Sequence, residues 1–165
     1  MIIDISTFDR TFINCVMLLT CILSGCAMPL RNSQPNAVYT TEKLSFSNIV
    51  IHDNTIYSAG IVGWDKQHRF VGTGDFECQL NQTLHNIKKL LNHAGSNLDH
   101  VIGYRFYVKA LNEKRLMHIK SFLANHYNTG YKPVTTVIGV ASLAVPELEI
   151  EIEFIAKQIN KRPKK

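Results

Sequence analysis

Three glutamates stand at alternate positions, Glu149, Glu151 and Glu153, in the run LEIEIEFIA from Leu148 to Ala156. In an extended chain they share one face, opposite Leu148, Ile150, Ile152 and Phe154. A carboxylate held in a cleft can orient a water or take a proton from it. Three together repel one another, so a fold that gathers them must bring cations near. A second alternating run, VIGYRFYVKA from Val101 to Ala110, carries Arg105, Tyr107 and Lys109 on one face and Ile102, Tyr104, Phe106 and Val108 on the other. If the two runs are neighbouring strands, Arg105 and Lys109 pair with the glutamates across the ladder. A guanidinium left free there would instead grip a carboxylate through two parallel hydrogen bonds. A third run, YKPVTTVIGVASL from Tyr131 to Leu143, has no charge after Lys132 and sets Thr135 beside Thr136. A threonine hydroxyl supplies one neutral hydrogen bond and is no substitute for a cation. The seven histidines are scattered, with His118 and His126 on a predicted helix surface, and no Cys/His spacing suggests a metal site. No metal or cofactor is expected.

These residues need elements to position them. Phe46, Ile49, Val50 and Ile51, the turn His52-Asp53-Asn54 and a second apolar stretch from Thr55 to Val62 read as a hairpin. Asp75 caps a helix in which Phe76, Leu80, Leu84, Ile87, Leu91 and Ala94 recur at helical spacing, and Gly95 ends it. The strand from Val101 follows. Asn112 caps a second helix to about Asn125, with Leu116, Ile119, Phe122 and Leu123 inward. The strand from Val134 and the glutamate strand complete a β-β-α-β-α-β-β order. That is an α+β arrangement, a mixed sheet with two helices on one face. Tyr107 and the two-sided apolar strand at 134–143 predict burial of the second face as well. A single helix layer cannot cover both faces, so self-association is expected. With 45% hydrophobic residues in 165, one core domain is within reach, and no repeat period is visible.

The ends read differently from the middle. Arg10 precedes an apolar run, Thr11 to Leu23 (TFINCVMLLTCIL), too short to span a bilayer comfortably but suited to a secretory signal. Leu23-Ser24-Gly25-Cys26 follows and looks like a bacterial lipobox, in which the cysteine thiol receives a diacylglyceryl group. Residues 1–25 are therefore read as a lipoprotein signal peptide and Cys26 as the lipidation site. Asp4 and Asp9 outnumber Arg10 ahead of the run, which leaves a true start later than Met1, an uncleaved anchor, or a buried helix of a larger core as alternatives. Ala27 is not Asp, which in Gram-negative lipoproteins implies the periplasmic face of the outer membrane. Cleavage before Cys26 would remove Cys15 and Cys21 and leave Cys78 alone, with no intrachain disulfide to form. Residues 26–37, polar and with two prolines, read as a lipidated tether. Residues 38–158 form the domain and 159–165 a basic tail, which carries part of the net charge of +5. No aromatic and basic residues interleave as a nucleic-acid face would require, so no nucleic-acid partner is expected.

Taken in order, the domain resembles the Rid (YjgF) family, best known for reactive-intermediate deaminases. The resemblance rests on SAGI at Ser58 to Ile61, where the family has SGQI. It continues through QLNQTLHNIKKLLNHAG at Gln79 to Gly95, with its Q-x-x-Q-x-x-x-N pattern, YVKALNE at Tyr107 to Glu113, Pro133, and EIEIEFIA at Glu149 to Ala156. It implies a chorismate-mutase-like α+β fold and a homotrimer with small-molecule sites in clefts between subunits. It also implies hydrolysis of 2-imino and enamino acids to 2-keto acids and ammonia, without metal or cofactor.

By that resemblance the cleft would be lined by Phe46, Ser58, Gly60, Thr135 and Glu153. Glu153 and Ser58 are the candidate catalytic residues, since both match the family. Phe46 stands where the family has a tyrosine. The family's carboxylate-gripping arginine lies in a P-x-R pattern, which here is Pro133-Val134-Thr135. The expectation is thus a lipid-anchored trimer without the family's imine deaminase activity that still binds a small molecule. The alternative is a deaminase of altered specificity, in which Arg105, Lys109 or Lys132 replaces the missing cation.

Overall fold

The computed structural model describes residues 31–33 (backbone), 46–128 and 130–159. The signal segment, Cys26, most of the tether and residues 160–165 lie outside the described residues. Strands β1 (Arg31–Ser33), β2 (Ile49–His52) and β3 (Thr55–Ser58) come first, then helix α1 (Phe76–Ala94) and a short 3-10 turn (Leu98–His100). Strand β4 (Val101–Lys109), helix α2 (Glu113–His126), β5 (Val134–Val140) and β6 (Ile150–Lys157) complete the order. The strands form one sheet in the order β1-β2-β3-β6-β4-β5, parallel only between β4 and β5. From β2 onward the α+β order read from the sequence holds. β1 is an addition: it pairs with β2 from within the segment read as a tether.

Local chemistry explains each element. Asp53 and Asn54 both take positive φ (46° and 60°) between the paired residues His52 and Thr55, the geometry of a two-residue hairpin turn. The Asp75 carboxylate accepts from Cys78 N at 3.0 Å to open α1. Gly95, at φ 76°, closes it in the left-handed conformation. Asn112 accepts from Arg115 N at 3.0 Å to open α2.

Both helices cover one sheet face. Ile49, Ile51, Ile56, Phe106, Val108, Ile150, Ile152 and Phe154 meet Leu80, Leu84, Ile87 and Leu91 of α1 and Ile119 and Phe122 of α2 in one core. Leu116 and Leu123, also expected inward, are only partly buried.

Several expectations need correction. Ile102 is exposed, because a bulge between Val101 and Gly103 shifts the alternation and turns Val101 inward. The second hairpin strand ends at Ser58, beyond which Ile61 makes only a single bridge to Ile152. Strand β5 is not buried on both sides within the chain. It is one edge of the sheet, with Val134 75% and Ile138 38% exposed, and Val137 packs partly against the core. Ile159, the first residue of the predicted tail, is tied to the domain by its N–H on Gly95 O at 3.0 Å.

Candidate functional site

The site is built on the helix-free face of β6, β4 and β5. Alternation sends Glu151 and Glu153 to that face, and antiparallel register sets Arg105 opposite Glu153 and Tyr107 opposite Glu151. Arg105 Nη1 lies 3.3 Å from Glu153 Oε2. Tyr107 reaches diagonally along the ladder, its hydroxyl donating to the same oxygen at 3.2 Å. The anticipated pairing of the two runs is therefore present. Burial, and then the Glu153 charge, push the Tyr107 phenol above its ordinary range. Glu151 is also raised, first by burial and then by Glu153, so its ionised form is disfavoured.

Lys109 Nζ stands 3.6 Å from Glu149 and donates to Pro146 O at 2.7 Å. The stronger partner of Glu149 is one the sequence reading missed. Arg115 Nη2 lies 2.6 Å from Glu149 Oε2, its other arm donates to Lys109 O, and its guanidinium sits over the Phe76 ring. A pair 34 residues apart, between helix and strand, leaves no local signal in the chain.

Of the residues expected in the cleft, Ser58 and Gly60 lie beside β6, each against a neighbour of Glu153 rather than Glu153 itself. Ser58 Oγ accepts from Phe154 N at 2.7 Å and so fastens the end of β3 beside Glu153. A side chain at Gly60 would place its Cβ 1.6 Å from Glu151 Oε1, so the carboxylate occupies the space the glycine leaves open. Phe46 is 53% exposed, ahead of β2. Thr135 is not brought to Glu153 within one chain. It pairs with Tyr104, whose side chain is in the core, so it lies on the other side of the sheet from Arg105. Its hydroxyl donates to Pro133 O at 3.2 Å. Thr136, opposite Arg105, takes the place on the shared face.

Gly103, Arg105, Val134, Thr136, Glu153 and Ile155 are among the residues that line a cavity of about 110 Å³. A Cβ on Gly103 would come 2.8 Å from Val134 Cγ2, so the bare backbone there admits the valine.

The Q-x-x-Q-x-x-x-N motif supports this face from behind. Gln79, fully buried, donates to Glu147 O at 2.6 Å and accepts from Glu149 N at 2.8 Å. Gln82 donates to Trp64 O, and Asn86 donates to Val62 O and Trp64 O. These amides hold the segment entering β6 and the loop after Gly60. Among the described residues, no group of three His, Cys, Asp or Glu side chains is placed to hold a metal ion. No described helix is long and apolar enough to cross a membrane.

Comparison with known proteins agrees with this fold. Residues 37–158 match the family profile described as Endoribonuclease L-PSP. A RutC family protein of Pyrococcus horikoshii is 32% identical over 111 residues, 67% of this chain and 85% of that protein. Protein HMF1 of Saccharomyces cerevisiae is 26% identical over 114 residues, covering 69% and 84%. Among solved structures, a Rid-family protein of unknown function from Yersinia pestis, YyfB, is 32% identical with a TM-score of 0.59, covering 79% of this chain and 99% of that one. RidA from an Antarctic Psychrobacter, at 21% identity and a TM-score of 0.65, shares the fold over 77% of this chain and 98% of its own. On the profile match and the Pyrococcus relative together, the chain belongs to the Rid (YjgF) family.

Proposed function

We propose that this protein is an exported, lipid-anchored Rid trimer that lacks the family's imine deaminase activity and binds a small molecule in the cleft between subunits. The observation that carries the reading is the charge arrangement at Pro133-Val134-Thr135. The family's arginine position holds a threonine whose hydroxyl is bonded to Pro133 O. On the helix-free face, Arg105 is paired with Glu153 and Lys109 with Glu149. Losing a buried, charge-assisted carboxylate contact costs about 2–5 kcal/mol. At about 1.4 kcal/mol per decade, that is roughly 30-fold to several thousand-fold in rate.

The oligomer is supported by the exposed edge. An uncovered strand in parallel pairing, with Val134 and Ile138 exposed and Tyr57 46% exposed on the same sheet, invites a second copy. Thr135 and Glu153 lie two strands apart and on opposite faces, so a cleft containing both needs two copies. The anchor rests on Cys26 in its lipobox context, with the periplasmic face of the outer membrane as its location.

The experiment is keto-acid release from imino acids formed in situ by an amino-acid oxidase. Wild type should show no turnover above background, and Thr135→Arg should gain it. Turnover in wild type that Glu153→Ala abolishes would overturn the reading. It would establish the alternative, a 2-imino or enamino acid deaminase of altered specificity. One observation favours that alternative: Glu153 is oriented by both Tyr107 and Arg105, as a water-positioning carboxylate would be. Sedimentation at micromolar concentration should give a trimer. Cys26→Ser should release the protein from membranes, and unaltered retention would exclude lipidation.

A further inference from the structure

We propose that the groove between α1 and α2 is a separate binding site, for a molecule carrying a phosphate or sulfate group. It lies across the sheet from the proposed cleft, so either reading can fail without the other. A second copy on the helix-free face would leave this helix layer outward.

The groove encloses about 310 Å³. Its floor is apolar, made by the buried Leu80, Leu84 and Phe122, and its rim is polar. Asn81, His85 and Lys88 form a stripe along α1, spaced by four and then three residues, and Ser121, Asn125 and His126 face it from α2. His85, Lys88, Ser121 and Asn125 make no hydrogen bond or ion pair with another described residue. The His126 ring is set in place: its Nδ1 donates to Phe122 O at 3.1 Å and its centroid lies 4.7 Å from that of the Phe122 ring. A carbonyl only accepts, so Nε2 is the nitrogen left to take up a proton. The carboxylate lining the groove, Glu77, stands 3.6 Å from His118 Nδ1. It lies about 16 Å down the helix axis from Lys88.

Donor number and charge select the occupant. Lys88 brings three N–H donors, Asn125 two and Ser121 a hydroxyl. A carboxylate, with two oxygens, leaves some of these unmet, whereas a tetrahedral oxyanion presents three or four. With Glu77 at the far end, a doubly charged group meets no carboxylate beside Lys88. Burial, then Lys89 and then Lys88, hold the His85 imidazole below its ordinary value. An anion among these groups offsets that repulsion, so binding and protonation of His85 assist each other and binding tightens as pH falls. The ionisable groups around His85 are Glu77, Lys88 and Lys89 on its own helix and His118 and His126 on α2.

The test is NMR titration of the full chain with sulfate, whose charge is constant across the range, at about pH 5.5 and 7.5 and fixed ionic strength. Sulfate should bind about tenfold more tightly at the lower pH, and acetate about tenfold more weakly than sulfate. Lys88→Gln should weaken sulfate about tenfold at both pH values, and His85→Gln with His126→Gln should remove the pH dependence. Lys120→Gln removes an equal charge from an exposed position on α2 outside the groove and should change nothing. All these positions are exposed, and circular dichroism checks the fold. Glycerol phosphate and vesicles containing phosphatidic acid present the same group from two sources. Binding of the first marks a soluble ligand. Binding of the vesicles alone, lost in Lys88→Gln and kept in Lys120→Gln, marks a lipid headgroup. No binding of any of these anions, equal weakening by Lys88→Gln and Lys120→Gln, or a pH dependence that survives loss of both histidines would overturn the proposal.

Discussion

Replacing Gln79 with alanine probes how the family motif holds the site. Its side chain is fully buried on α1 and joins two backbone groups of the segment entering β6. The truncation leaves Glu147 O and Glu149 N without their partner. An orphaned buried backbone group costs about 1–3 kcal/mol. Glu147 is exposed, so water can take over its carbonyl, whereas Glu149 is 9% exposed and its N–H is shielded. The expectation is therefore a loss of about 2–4 kcal/mol, mostly from Glu149 N. Gln82→Ala is the internal control. Gln82 is only partly buried; it shares Trp64 O with Asn86, which donates at 2.9 Å, and also donates to Asn86 Oδ1 at 3.1 Å, so its loss should be about 1 kcal/mol, from that one side-chain acceptor. The assay is urea unfolding at one fixed protein concentration, because self-association would otherwise shift the midpoint by mass action. A Gln79→Ala loss under about 1 kcal/mol with unchanged m, or one no larger than that of Gln82→Ala, would refute the clamp.

Other outcomes follow from the same face. Glu151 has its folded pKa raised above the ordinary 4.5, so the folded state holds the proton more tightly than the unfolded chain. Stability then falls as pH rises from about 4.5 through the raised value. Glu151→Gln should be more stable than wild type at neutral pH, with the difference vanishing below about 4.5 in a pH series of unfolding curves. In Gly60→Ala the new Cβ takes the space of Glu151 Oε1, so the carboxylate must swing away and this pH-dependent difference should shrink. Arg115→Met strands Glu149, whose side chain is 11% exposed, and should cost about 3 kcal/mol, the low end for a broken buried pair because Lys109 remains at 3.6 Å. A double-mutant cycle with Glu149→Gln should show a coupling energy, and strict additivity would count against the pair.

The elements were legible in the chain because their signals are local. Asp75 and Gly95 bracket α1, Asp53-Asn54 makes the hairpin turn, and the alternation of β6 places its glutamates away from the core. The cross-strand match of Arg105 with Glu153 was also readable once two alternating runs were taken as neighbours. What failed locally failed for a geometric reason. Ile102 followed the alternation on paper, and one bulged residue moved it to solvent. Thr135 and Thr136 are adjacent in sequence, yet pleating puts them on opposite faces, and only the register with β4 says that Thr136 is the one beside Arg105. Arg115 meets Glu149 through the packing of a helix end against a strand, which no short pattern encodes.

By itself, then, the sequence determined the order of strands and helices from β2 onward and the family. Turn chemistry, caps and periodicity act over a few residues. The tertiary structure alone decided which side chains share a face, which carboxylate is paired and which is left half-buried, and that β5 is an exposed edge. Those depend on register and on contacts between residues tens of positions apart.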